Sequence, residues 1–216
     1  MKVVAYNASP RKDWNTANLL QSALRGAASI GADTELIHLY DLKYKGCTSC
    51  FACKLKDGKS YGKCAMTDDL TPLLESFTNA DAVVIGSPIY FGDVTGMLRC
   101  LLERLWFPYL VYTKEDNRTL FSKKLNTLFV YTMNMPEEAV KITKFDESLS
   151  SNERLCNMIF GGNSQSYLST ETLQFSDYSK YVSDMFKVEQ RMKRHQEVFP
   201  VDLENVYNLG IQLLDK

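Results

Sequence analysis

Four cysteines in one short stretch carry the most specific chemistry in the chain: Cys47, Cys50 and Cys53 in a C-x2-C-x2-C run, then Cys64. Four thiolates this close are enough to ligate one [4Fe–4S] cluster. Two other readings stand beside it. A zinc ion would use all four thiolates, although zinc favours two separated pairs closing a tetrahedron. The third reading is free thiols with no metal. The spacer between Cys53 and Cys64 is polar and carries Lys54, Lys56, Lys59 and Lys63, the composition of a loop that bulges outward. Cys100, on an apolar helical stretch, and Cys156 read as small buried hydrophobes.

A second constellation lies near the N-terminus, where Asn7-Ala8-Ser9-Pro10-Arg11-Lys12-Asp13-Trp14-Asn15-Thr16 joins an apolar strand directly to a helix. A helix start presents free N–H groups and the positive end of the helix dipole, which together favour a phosphate. Ser9, Arg11, Asn15 and Thr16 supply further donors, and the planar Arg11 fork suits phosphate oxygens in pairs. The bland alternative is that Asn15 or Thr16 caps the helix while Arg11 is a solvated charge. The loop has neither the G-x-x-x-x-G-K-[ST] nor the G-x-G-x-x-G pattern, which argues against nucleoside triphosphates and ordinary dinucleotides.

These residues need elements to position them, and the periodicity supplies alternating strands and helices. Strands are expected over residues 2–7, 34–39, 81–86, 125–133 and 166–175. Helices are expected over 16–30 with Gly31 as stop, from a cap at Thr67 or Asp68 to Phe77, over 93–106, somewhere within 136–160, and over 178–216 with a break at Pro200. The fold class is therefore α/β: a flavodoxin-like, doubly wound, five-stranded parallel sheet of order 2-1-3-4-5 with helices on both faces. The whole chain, 1–216, is expected to form one domain, with a cysteine-rich insertion at about 44–66 and a helical C-terminal extension at about 178–216. In such sheets ligands sit outside the carboxyl ends of the strands, at the switch point between the first and third.

The run S-P-R-K-x-x-N-T after the first strand resembles the phosphate loop of the NADPH-dependent FMN reductase and iron–sulfur flavoprotein group. Gly86-Ser87-Pro88-Ile89-Tyr90-Phe91-Gly92 resembles that group's isoalloxazine loop, and Gly96-Met97-Leu98-Arg99 with Glu103-Arg104 resembles the helix after it. The likeness covers roughly residues 1–106, with Thr132-Met133-Asn134 matching the position of a third flavin loop. Trp14 stands where the group tends to have glycine, and the fourth cysteine of the group's compact motif usually lies nearer the third.

The resemblance implies FMN as cofactor, NAD(P)H as co-substrate, one [4Fe–4S] cluster on Cys47, Cys50, Cys53 and Cys64, and a homo-oligomer, dimer or tetramer, as the working form. A flavin needs an apolar slot, backbone donors and one open face. Pro88 stiffens such a slot, Ile89, Tyr90 and Phe91 line it, Gly92 lets backbone approach, and Ser87 completes the loop. No catalytic residue is assigned, because the redox chemistry belongs to the cofactor. His38 and His195 read as structural. The residues Trp106, Phe107, Pro108, Tyr109 and Tyr112 form an aromatic stretch that could cover the flavin or seal a dimer.

Composition favours a small-molecule partner. Twenty-five Lys and Arg against 26 Asp and Glu give a charge of −1, so no global field favours nucleic acid or an anionic membrane. No apolar run is long enough to span a bilayer, and the N-terminal segment lacks a signal-peptide pattern, so a reducing cytoplasmic setting is expected for the six cysteines. Three functions follow: an FMN-dependent oxidoreductase passing electrons from NAD(P)H to a flavin, quinone, nitro compound or protein; an iron–sulfur flavoprotein electron carrier without enzymatic turnover; or a scaffold that has lost its cofactor. The intact donors of the first loop disfavour the last.

Overall fold

The computed structural model describes residues 1–116 and 118–214. Five parallel strands, β1 (Lys2–Asn7), β2 (Asp33–His38), β3 (Ala82–Tyr90), β5 (Leu125–Thr132) and β6 (Gly161–Ser169), lie in the order β2-β1-β3-β5-β6, and a short β4 (Asp93–Val94) pairs antiparallel with the end of β3. Counting the parallel strands alone, this is the expected 2-1-3-4-5.

The central strands are continuous apolar runs because both faces are covered. Val3 and Ala5 of β1, with Val84 of β3 and Val130 of β5, pack under α1 (Asn15–Ser29) and α7 (Phe199–Gln212) through Leu19, Leu20, Phe199 and Val206. The alternate residues Val4, Tyr6, Val83, Ile85 and Phe129 face α2 (Thr71–Asn79), α3 (Gly96–Trp106) and α5 (Phe145–Phe160) through Phe77, Leu98, Leu102, Cys156 and Ile159. The short α4 (Glu137–Thr143) is separated from α5 by Lys144 in the left-handed conformation, and α6 (Val188–Glu197) precedes α7.

Several boundaries differ from the sequence expectation: β3 runs on to Tyr90, α2 starts at Thr71 with Leu70 and neither Thr67 nor Asp68 at its N-cap, and the last strand ends at Ser169. The helix expected from Asp93 starts at Gly96, because Phe91 and Gly92 adopt φ of 54° and 84° and turn the chain back as a two-residue hairpin. Thr95 then caps α3, its Oγ1 accepting from Leu98 N and donating to Ala8 O. The fifth parallel strand begins at Gly161, earlier than residue 166, since α5 ends on Gly161 in the left-handed region and the chain enters the sheet at once. Gly162 is required there: a Cβ would stand 2.2 Å from Leu125 O. The C-terminal helices start at Val188, and Pro200 lies in the first turn of α7, where its missing N–H costs nothing.

Helices α1 and α7 touch backbone to backbone. A Cβ on Gly26 would lie 2.0 Å from Tyr207 O, and one on Gly210 would lie 2.1 Å from Ala23 O. Gly26→Ala is expected to force the pair apart and cost about 1–3 kcal/mol, read as a lower denaturant midpoint at unchanged slope. An unchanged midpoint would show that the helices separate freely.

Candidate functional site

Beyond the carboxyl ends of β1, β3, β5 and β6, four loops enclose a cavity of about 270 Å³. The first loop contributes Ser9, Arg11, Trp14, Asn15 and Thr16; the second Pro88, Ile89, Tyr90 and Phe91; the third Thr132, Met133 and Asn134. The sequence-predicted residues of three separated segments thus meet at one place. Ser87 and Gly92 stand behind it. Ser87 is fully buried, its hydroxyl donating to Pro88 O and accepting from Thr95 N, so it ties the second loop to α3. Gly92 makes the hairpin turn and leaves room for the ring of Phe145, which a Cβ would meet at 2.6 Å.

The first loop is built around the start of α1. Asn7 Oδ1 accepts from Ser9 N at 2.9 Å, and Ser9 Oγ accepts from Arg11 N at 3.1 Å, which curls the chain into the cavity wall. The N-cap residue of α1 is Trp14, and no side chain caps the helix; its first turn carries no acidic residue. Neither Asn15 nor Thr16 takes the capping role that a purely structural reading gives them. Asn15 Nδ2 donates to Leu173 O at 2.8 Å, and the Thr16 hydroxyl shares a 2.8 Å hydrogen bond with that of Thr132. The N–H groups and dipole of α1 are therefore left for an anion. Arg11 stacks over Trp14, with 4.9 Å from its guanidinium carbon to the ring centroid, and donates to Gln174 O.

A fourth wall, Thr172, Leu173 and Gln174 after β6, escaped sequence reading together with Trp14. Its contribution is largely carbonyl oxygen: Leu173 O accepts from both Asn15 and the Trp14 indole. Backbone acceptors leave no mark in side-chain patterns. Asn134 Oδ1 is buried with no hydrogen-bond partner, while its amide nitrogen donates to Gln174. Phe91 is fully exposed beside the cavity and Tyr90 is exposed at 45%.

The two histidines lie elsewhere. His38 Nδ1 pairs with Asn7 Nδ2 at 2.9 Å, and His195 stacks on Phe199, where burial and then the Arg194 charge hold its pKa below the usual value. The aromatic stretch after α3 also stays away from this cavity. Trp106, Phe107 and Tyr112 instead flank Phe51 on a separate apolar groove, and Tyr178 packs inside the chain with its hydroxyl accepting from Gln174 N.

At the opposite end of α3 the four cysteines lie around one small cavity. Cys47, Cys50, Cys53 and Cys64 line one small cavity with Phe51, Phe107 and Pro108. Cys53 is buried, and burial pushes its thiol pKa up; Cys50 is exposed. Lys54 turns back to the end of α3 and donates to the carbonyls of Phe107, Pro108 and Leu110, so it does not point into the spacer. Among the described residues, no three His, Cys, Asp or Glu side chains are gathered tightly enough for a single metal ion. Cys156 is fully buried between α5 and the sheet, with its thiol pushed up to about 12 by burial. Cys100 is half-buried on α3.

Residues 1–137 match the NADPH-dependent FMN reductase family, and the match runs from the first strand through β5. The chain belongs to that family. Among similar proteins, an iron–sulfur flavoprotein of Methanocaldococcus jannaschii is 38% identical over 104 residues, covering 48% of this chain and 51% of that one. Another, from Archaeoglobus fulgidus, is 43% identical over 104 residues and covers 48% of each. The chain spans about half the length of these relatives. In fold it resembles an NAD(P)H:quinone oxidoreductase of Methanothermobacter marburgensis, with a TM-score of 0.72 at 16% identity, over 99% of this chain and 98% of that one. Three of the four walls of the cavity lie within the FMN reductase match, whereas the wall at 172–174 lies beyond it. Among the described residues no helix is long and apolar enough to cross a membrane.

Proposed function

We propose that this protein binds FMN in the cavity at the carboxyl ends of the strands and is an NAD(P)H-dependent oxidoreductase whose acceptor is a flavin, quinone, nitro compound or protein. The observation that carries the reading is the uncapped start of α1 facing a cavity shaped by three flavin-type loops, in a chain of the FMN reductase family. Ser9, Arg11, Asn15, Thr16 and the first N–H groups of α1 take the terminal phosphate. Ser87, Pro88, Ile89, Tyr90, Phe91 and Gly92, with Thr132, Met133 and Asn134, form the ring slot, and the unpartnered Asn134 Oδ1 fits a ring N–H donor. Bound FMN supplies two-electron chemistry that can be passed on singly or in pairs. The protein's part is to hold the phosphate, orient the ring and leave one face open beside Tyr90 and Phe91.

A terminal phosphate monoester matches this loop better than the internal phosphates of FAD do. Flavin released from purified protein is therefore expected to be FMN, with bleaching of its visible band by NADH or NADPH. FAD as the sole flavin would overturn the site, and a band untouched by both nucleotides would overturn the enzymatic reading. The fully exposed Phe91 at the cavity mouth supports completion of the pocket by a second copy. Sedimentation at micromolar concentration is expected to give a dimer or larger, and a monomer counts against it.

The cysteine cavity favours a second reading, an iron–sulfur flavoprotein electron carrier in which Cys47, Cys50, Cys53 and Cys64 hold one [4Fe–4S] cluster. The donor set fits: four thiols on one cavity, with apolar cover from Phe51 and Phe107. Such a cluster would divide electron pairs into single electrons. The bleaching experiment separates this reading from the enzymatic one.

A further inference from the structure

We propose that Arg104 is the positioning residue of the cysteine cavity: one buried guanidinium fastens both ends of the cysteine loop to α3, brings Cys64 to the other three thiols, and biases a cluster held there toward its reduced state. The last part rests on the cluster reading above.

Arg104 is the largest fully buried side chain among the described residues, with none of its side chain exposed. Burying an unpaired guanidinium is costly, and here every face of it is used. Nη1 donates to Lys45 O at 3.2 Å, just before Cys47, and Nη2 is 3.4 Å from Met66 O, just after Cys64. Those two carbonyls bracket the cysteine segment. Nε donates to Cys64 Sγ at 3.3 Å, and Nη1 also pairs with Asp68 Oδ2 at 2.5 Å. The preceding residue of α3 holds the first cysteine in the same way, Glu103 Oε2 accepting from Cys47 N at 3.0 Å.

Arg104 holds Cys64 in place beside the spacer's own turns, in which Gly62 N donates to Cys53 O at 3.0 Å. The spacer closes on itself, and Arg104 fixes the segment that carries it, from Lys45 to Met66, to α3. Arg104 also sets the local charge. A guanidinium stays protonated at any working pH, so its field at Cys64 is permanent, and positive charge and N–H···S bonds favour the more negative, reduced state of a cluster. Asp68 on the far side opposes that field.

Two variants with opposite charge effects test the proposal, with FMN content and thermal melting as fold controls. In cluster-free protein, Arg104→Gln is expected to lose hydrogen-exchange protection across residues 45–66 while β1 and α1 keep theirs. Unchanged protection would overturn the positioning role whether or not iron is ever bound. In protein reconstituted with iron and sulfide under anaerobic conditions, Arg104→Gln is expected to lower the midpoint potential and Asp68→Asn to raise it, with the double variant returning toward wild type. Loss of iron from Arg104→Gln with FMN retained also supports positioning. If that variant fails to fold, Asp68→Asn decides: a potential that stays put or falls overturns the electrostatic part. A wild type that takes up no iron removes the cluster reading and leaves the exchange result to stand alone.

Discussion

Anaerobic reconstitution of the wild-type chain is expected to load about four irons, and Cys64→Ala is expected to abolish that uptake while FMN stays bound. Spacing alone does not forbid the cluster. Closure entropy grows with the logarithm of loop length, so the residues added between Cys53 and Cys64 cost well under about 1 kcal/mol relative to a shorter loop. Geometry is the stricter requirement: all four thiols line one cavity, but among the described residues no three are gathered closely enough for a single metal ion, so loading has to draw them together. Shielding is better than the lysine-rich spacer suggests, because Lys54 is drawn onto the end of α3 while Phe51, Phe107 and Pro108 stand beside the sulfurs. The measurement is iron and sulfide per chain alongside the visible spectrum. If neither protein binds iron while both keep FMN, the cysteines are free thiols and the FMN reductase reading stands by itself.

Arg11→Ala is expected to weaken FMN by roughly 1.5–3 kcal/mol, the scale of hydrogen bonds to a charged group, which is about 10- to 150-fold in Kd. Arg11 is placed for this by the Ser9 turn and held over Trp14, while its bond to Gln174 O also steadies the fourth wall. Truncation would therefore remove the proposed phosphate donor together with its bond to the 172–174 wall. Fluorescence titration of FMN into stripped protein gives the affinity. Arg11→Lys keeps the charge but not the planar fork and should fall between the two. Equal affinity for all three would place the phosphate elsewhere.

Much of this was readable in the residues. The alternation of apolar runs with amphipathic stretches specifies the parallel sheet, because strands covered on both faces cannot afford polar positions. The Ser9 to Thr16 run and the loop after β3 were legible since each joins a strand to a helix with unusual donors or glycines. What escaped was decided by backbone. Val94, Met97 and Leu98 have helical spacing, yet residues 93–94 pair with β3, because the turn at Phe91 puts a bulky side chain in a left-handed conformation that propensity disfavours. The 172–174 wall works through main-chain oxygen, invisible to pattern. Arg104 reads on paper as one more charge on an amphipathic helix. Only the path of the cysteine loop shows that it is interior.

The contact between α1 and α7 bears on the order in which the chain can mature during synthesis. One side of α1 lies on the sheet; the other is covered by α7, where Gly210 meets Ala23 O and Ser22 Oγ donates to Leu203 O. The helix whose first N–H groups open on the cavity is complete at Ser29, but its cover begins only at Phe199. Until then Leu19 and Leu20, the residues that seat α1 on the sheet, lack part of their packing from Phe199 and Val206. A nascent chain stopped before α7 would hold the first loop on a helix only half supported, so the cavity wall is expected to settle only once α7 has been made.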